Sequence, residues 1–225
     1  MVNDGLLVVP NLEDTDQYLK GGTRTEIIDV SSIIKKDGLT DGGIVRQILF
    51  WMHANLTRLD NDNDNDNDKR KFKRSAAEIL QSGEITGCCD SCTLFTSLAR
   101  SAGIPTMQII SFNKEWGKNI KNQEEKLKTS GHFFVGIYLK DIYGNSNWFL
   151  LDPDRYVKNM SNINEVRFQP LYISNRNIGN QYIFAYVKDY FDDLGIDSVK
   201  EMKNIQLAAY KKCNKNDFEI EKEER

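Results

Sequence analysis

The sequence predicts an α+β fold, and three observations carry that prediction. Apolar residues recur at helical spacing through the first half of the chain, the period shifts to that of strands after Pro105, and the order is helices first, antiparallel strands after. At 225 residues, with 40% hydrophobic side chains that include three Trp, nine Tyr and eleven Phe, the chain can fill one large core or at most two small ones. Thirty Lys and Arg against 33 Asp and Glu leave a net charge of -3, so no global field draws the protein to nucleic acid or an anionic membrane.

Residues 1–43 read as a mixed N-terminal segment packing on the core as an extra strand or lid, with a strand at Thr25 to Val30 and breaks at Gly21-Gly22 and Gly42-Gly43. The start of the chain has no basic n-region and no apolar run long enough for a secretion signal, and no window approaches a membrane span; a cytoplasmic protein is expected. Ile44, Val45, Ile48, Leu49, Met52 and Leu56 predict an amphipathic helix over residues 44–58, with Trp51 near its middle and His53 on its surface.

The stretch 60–74 is a low-complexity charged loop, alternating Asp and Asn followed by a basic run. Asp62, Asp64 and Asp66 imitate the opening of a calcium loop. Asn67 and Lys73, however, stand where that loop needs Gly and Glu, so the segment reads as an inert insertion. Ser75 and Glu78 have capping-box spacing for a short helix ending near Gly83. A longer, central helix spans residues 88–102, with Cys92, Phe95, Leu98, Ala99 and Ala102 on one face and a stop signal in Gly103-Ile104-Pro105.

Met107 to Phe112, His132 to Leu139 and Asn147 to Leu151 read as strands, with weaker candidates at Val166 to Ile173 and Gln181 to Lys188. Residues 113–130 form a polar loop, and residues 197–212 a last helix in a C-terminal region, 191–225, that ends in a charged tail.

The chemistry begins with a thiol. Four cysteines are too few for a disulfide scaffold, and Cys88, Cys89 and Cys92 crowd one helix start while Cys213 is remote; all four read as reduced. In the first turn of a helix, unpaired N–H groups and the positive dipole end favour a thiolate, and Cys88 stands there after Thr86-Gly87. A thiolate needs a base, and a base an orienter. His132 opens a strand; Asp152 closes the next one, and the end of the second strand of a hairpin lies beside the start of the first. Direct opposition of the two needs a hairpin centre at Ile142, whereas Gly144-Asn145 places it roughly two and a half residues later, which calls for a long or bulged connection.

Thr86-Gly87-Cys88-Cys89-Asp90, running on to Leu98-Ala99-Arg100-Ser101-Ala102-Gly103-Ile104-Pro105, resembles the nucleophile motif of the transglutaminase-like superfamily. Gly131-His132-Phe133 and Trp148-Phe149-Leu150-Leu151-Asp152-Pro153 resemble its second and third motifs, in the same order, and the similarity extends over about residues 44–190 as a catalytic domain. The resemblance implies a papain-like fold with a nucleophile-bearing central helix on an antiparallel sheet. It also implies Cys88 as nucleophile, His132 as general base and then acid, and Asp152 as the group that holds the imidazole tautomer. Acyl transfer or amide hydrolysis on peptide or protein substrates through a Cys thioester follows, with no cofactor and no metal. Gln81 and Trp51 are candidates for the second oxyanion donor. Cys89 and Cys92 depart from the family pattern, Cys92 as core packing one turn deeper.

Rival readings are a non-catalytic peptide- or protein-binding module on the same fold and, through Cys89-Asp90-Ser91-Cys92, a CxxC redox protein or half of a zinc site. No second CxxC exists, and the helix-rich first half does not form a βαβ unit. Arylamine acetyl transfer uses a similar Cys-His-Asp order and stands as a further acyl-transfer option.

Overall fold

The computed structural model describes residues 10–20, 25–59, 70–117, 130–141 and 143–213. After a 3-10 turn at Thr15–Tyr18 come α1 (Thr25–Ile34), α2 (Asp41–Asn55) and β1 (Thr57–Arg58). They are followed by α3 (Ala76–Ser82), β2 (Glu84–Ile85) and the central helix α4 (Cys88–Ser101). The second half holds β3 (Thr106–Asn113), β4 (Phe133–Lys140), β5 (Ser146–Leu151), α5 (Pro153–Lys158), β6 (Gln169–Pro170), β7 (Asn177–Ile178) and β8 (Gln181–Val187), then α6 (Tyr190–Leu194) and α7 (Val199–Lys212). The calcium-like stretch at 60–68 and most of the polar loop at 113–130 lie outside the described residues.

Six strands form one antiparallel sheet in the order β6-β5-β4-β3-β8-β7. Its alternation divides the apolar side chains between two faces. Phe133, Val135, Ile137 and Leu139 of β4 join Leu94, Phe95, Leu98 and Ala99 of α4 in the main core, which Ile27, Ile48, Leu49 and Ile79 from the surrounding helices complete. Phe134, Trp148, Leu150, Met107 and Ile109 form a smaller cluster on the other face, under Tyr18 and Leu12.

The predicted strand at Thr25 to Val30 is instead the first half of α1. Its β-branched run suggests a strand, but Ile27, Ser31 and Ile34 are the buried positions, a helical spacing, and the Ser31 hydroxyl reaches the Leu98 carbonyl of α4. Among its described residues, the N-terminal segment meets the core through a helix and adds no strand. Helix α2 starts at Asp41, before the predicted Ile44, because the Thr40 side chain accepts the Gly43 N–H, and it ends where Leu56 turns extended. His53 is half-buried rather than on the surface: its Nδ1 lies 2.9 Å from the Val157 carbonyl and ties α2 to α5. The capping box of Ser75 and Glu78 forms as predicted, and Gly83 closes α3 in the left-handed region at φ 67°. Of the weak strand at Val166 to Ile173, just the two residues of β6 pair with β5. The final helix starts at Val199, capped by Ser198.

The β4–β5 hairpin is regular, without the predicted bulge. Val135 faces Leu151 and Lys140 faces Ser146, so the hairpin centre falls at residue 143, between the two sequence-based alternatives. Its turn is short because Asp141 Oδ1 accepts the N–H groups of Tyr143 and Asn145, each at 2.8 Å, with Gly144 at φ 87°. His132 and Asp152 are thus offset by two residues, and each stands just outside its strand.

Candidate active site

Helix α4 differs from its neighbours at the N-terminus. Thr40, Ser75, Asp152, Asp189 and Ser198 cap α2, α3, α5, α6 and α7 with side-chain oxygens, but α4 begins at Gly87 with no side-chain cap. No side-chain oxygen therefore occupies the N-terminus of the helix beside Cys88, its half-buried first residue. The mouth is stiffened from beneath. Asp90, fully buried, accepts hydrogen bonds from the Thr86 N–H at 2.8 Å and from the Thr86 hydroxyl, and it is ion-paired with Arg74. Arg74 also donates to the Glu84 carbonyl and the Ser82 hydroxyl, each at 3.0 Å, and Arg70 pairs with Glu84 at 2.7 Å. The basic run, expected to be part of a low-complexity charged loop, therefore supplies the counter-charge of the nucleophile motif.

His132 precedes β4, and its backbone is fixed from β3. Its carbonyl accepts the Ser111 N–H at 3.0 Å and the Ser111 hydroxyl at 2.9 Å. Gly131 makes this approach feasible, because a Cβ there would stand 2.2 Å from the Ser111 carbonyl oxygen. Phe134 meets the imidazole edge-on, with 4.7 Å between ring centroids. Asp152 ends β5 and caps α5: Oδ1 accepts the Arg155 N–H at 3.2 Å, while Oδ2 is 2.9 Å from His132 Nε2. One carboxylate thus starts a helix and orients a ring.

The structure brings all three sequence-predicted residues together: Asp152 holds the imidazole at 2.9 Å, and Cys88 is near enough to help raise the pKa of the ring. With Nε2 held by Asp152, Nδ1 is the nitrogen left for the sulfur. Burial works against a charged ring, but the hydrogen bonds and charges of Asp152 and Cys88 together outweigh it and push the His132 pKa up to about 10. The imidazole is therefore protonated at neutral pH.

The other thiols have a different setting. Cys89 and Cys92 are both buried, and desolvation, followed by neighbouring negative charge, pushes both thiols well up, the opposite of what a redox-active CxxC requires. No group of three or more His, Cys, Asp and Glu among the described residues is arranged to hold a metal ion. Gln81 is exposed at the end of α3 and shares a surface pocket with Glu26; Trp51 is half-buried against the main core. A cavity of about 560 Å³ opens along another side of α4, lined by Phe72, Thr93, Thr96, Arg100 and Tyr190, and none of the three converging residues lines it.

Comparison with known proteins bears on this geometry. The sequence profile of the transglutaminase-like superfamily matches residues 33–153, more than half of the chain, and that span includes Cys88, His132 and Asp152. The chain belongs to the transglutaminase-like superfamily. Its α+β architecture, with a cysteine-bearing central helix packed on an antiparallel sheet, is at the family level that of papain-like thiol enzymes. Among solved structures, a "Putative Cysteine Protease from Cytophaga hutchinsonii" is similar at 15% identity and a TM-score of 0.47, over 84% of this chain and 53% of that one. The chain thus spans about half the length of that protein. No curated protein matches it significantly. The family profile begins at residue 33, inside α1, so the 3-10 turn at Thr15–Tyr18 lies outside it. No helix among the described residues is long and apolar enough to cross a membrane.

Sequence reading missed the residues that support the site, namely Arg74, Ser111, Ser91, Asp154 and Arg58. Gly131 carried a signal, a glycine beside a candidate histidine. The others are separated in sequence from their partners by distances that no local pattern reveals.

Proposed function

We propose that this protein is a cysteine acyl-transfer enzyme that cleaves or transfers amide groups of peptide or protein substrates, with Cys88 as nucleophile, His132 as general base and acid, and Asp152 as its orienter. The observation that carries the reading is the convergence of Cys88, at an uncapped helix mouth, with the His132–Asp152 pair at 2.9 Å. The reactive form is the thiolate beside the protonated imidazole.

The sulfur attacks the amide carbonyl carbon, forming a C–S bond while the carbonyl π electrons move to oxygen. The free N–H groups of the first turn of α4 receive that oxyanion. As the tetrahedral intermediate collapses, the C–N bond breaks and His132 gives its proton to the departing amine nitrogen, leaving a thioester. A water molecule or a second amine then attacks the thioester. His132 takes its proton, the C–S bond breaks, and the product is an acid or a new amide. Through both steps Asp152 keeps Nε2 engaged, so Nδ1 is the nitrogen that exchanges protons with sulfur and substrate.

Alkylation by iodoacetamide at pH 6 to 7 tests the assignment. Cys88 should react at least about 100-fold faster than Cys213, and His132→Ala should erase the difference. Equal rates in the wild type would refute the proposal and favour a binding module. Incubation with a peptide library and a tagged primary amine then separates cleavage, deamidation and amine incorporation by product mass.

A further inference from the structure

The helix carrying the sulfur and the helix capped by the carboxylate are joined by a buried contact that belongs to neither the triad nor a cap. Ser91, one turn into α4 from Cys88, is fully buried and donates from Oγ to Asp154 Oδ1 at 2.8 Å. Asp154 is 5% exposed and stands in the first turn of α5, two residues beyond Asp152. Its Oδ2 faces Arg58 Nη2 at 3.3 Å, and Arg58 reaches it from β1, which the parallel β1–β2 clip holds directly before α4.

A buried serine–carboxylate contact between two helix starts sets the distance between them. Here that distance decides whether sulfur, ring and carboxylate stand in line. Asp152 cannot adjust on its own, because Oδ1 is committed to the Arg155 N–H and Oδ2 to His132. Any slide of α5 along α4 must therefore either break the 2.9 Å bond or carry the imidazole away from Cys88. A misplacement of about 1 Å costs on the order of 100-fold in rate. Arg58 matches the chemistry of such a contact. Asp154 brings a negative charge to the buried face of the nucleophile helix, where it acts on Cys92, and Arg58 offsets it while its own Nε and Nη1 have no hydrogen-bond partner among the described residues. The arginine is held there for its charge more than for its donors.

We infer that Ser91, Asp154 and Arg58 form a strut that fixes the nucleophile helix against the His132–Asp152 pair, making Ser91 and Asp154 positioning residues of the acyl-transfer reaction. This inference rests on the thiol-enzyme reading above. The strut predicts that Ser91 matters through alignment of Cys88 with His132, whereas a residue of purely structural value would lower melting temperature and leave the thiol chemistry alone.

The test is the pH profile of Cys88 alkylation by iodoacetamide from pH 5 to 9 on the full chain, followed by peptide mass spectrometry with Cys213 as internal reference and circular dichroism to establish folding. Wild-type Cys88 should stay fast at pH 6. Ser91→Ala, which removes one buried hydroxyl, should lose at least about tenfold at pH 6 and approach the wild-type rate at pH 9. Asp154→Ala together with Arg58→Met removes the acceptor and leaves no unpaired charge, so it should show the same loss at pH 6, and adding Ser91→Ala to it should change the rate little further. A lower melting temperature in Ser91→Ala with an unchanged profile overturns the strut, and so does a further, additive loss when all three substitutions are combined. Slow alkylation of wild-type Cys88 overturns the enzyme reading and the strut with it. A fast wild type with an unchanged Ser91→Ala overturns the strut alone.

Discussion

The two ends of helix α4 are built on opposite principles. At the C-terminal end the last carbonyls are followed by a closed clamp: Arg100 donates to the Thr106 carbonyl from Nε at 3.0 Å and from Nη2 at 2.7 Å, and to the Lys188 and Lys20 carbonyls at 2.7 Å each. Three segments distant in sequence are fastened there by one guanidinium. At the N-terminal end an arginine is buried too, but Arg74 grips the Asp90 carboxylate beneath the first turn and leaves the outward N–H groups alone. The difference teaches where rigidity is placed in this fold. The Asp90 carboxylate beneath the mouth is engaged by Thr86 and Arg74, while no side chain caps the backbone donors beside Cys88.

The clamp end should give the largest effect on stability. Arg100→Ala takes the guanidinium from the buried Thr106 carbonyl and the part-buried Lys188 carbonyl and should cost about 3 kcal/mol, read from urea denaturation midpoints. Molecules that remain folded should keep the fast alkylation of Cys88, because the clamp lies at the far end of the helix. A loss of less than about 1 kcal/mol would show that water replaces the guanidinium and that the ends are not so different.

At the mouth, the effect should depend on pH. The His132 pKa rises from 6.5 to about 10 on folding, so the folded state binds the extra proton more tightly than the unfolded state does. The resulting stabilisation is fully present below about pH 6.5 and disappears as pH rises through about 10. Wild type should therefore exceed His132→Ala by about 2 kcal/mol at pH 6, the size of a charge-assisted hydrogen bond, and by little above pH 10. Denaturation midpoints at pH 6, 8 and 10 check this, and a constant difference would contradict it.

The smallest expected change sharpens the contrast most. Gly87→Ser gives α4 the cap that the other capped helices carry, and a Cβ at Gly87 meets nothing closer than Cys89 Sγ at 3.7 Å. Stability should rise by a few tenths of a kcal/mol, while Cys88-dependent turnover of a peptide amide falls, since the new hydroxyl competes for the donors of the oxyanion. Unchanged turnover would mean that these N–H groups do not serve the reaction.

Local chemistry made much of this fold legible in the sequence. The Ser75–Glu78 box, the glycine and proline stop after α4, and the apolar-rich runs of β3, β4 and β8 each declare themselves within a few residues. Elements decided by tertiary packing were harder to read. Thr25–Ile34 has the composition of a strand, and its helix is favoured by burying Ile27 and Ile34 against its neighbours. Cys88, His132 and Asp152 could be picked out because each sits at an element boundary inside a recognisable motif. Their supports could not, since Ser91 and Asp154 are 63 residues apart, and Arg74, in the loop before α3, is 16 residues from Asp90.

One feature lies outside the family span and still governs how the molecule behaves in water. Trp148 donates from Nε1 to the Leu12 carbonyl at 3.2 Å, and Tyr18 stands edge-on to its ring with centroids 5.3 Å apart. If the residues before α1 were removed, the Trp148 indole and the aliphatic side chains around it would face solvent. The family match alone thus leaves out what covers this face of the sheet, and a red shift in indole emission would report when the covering residues have peeled away.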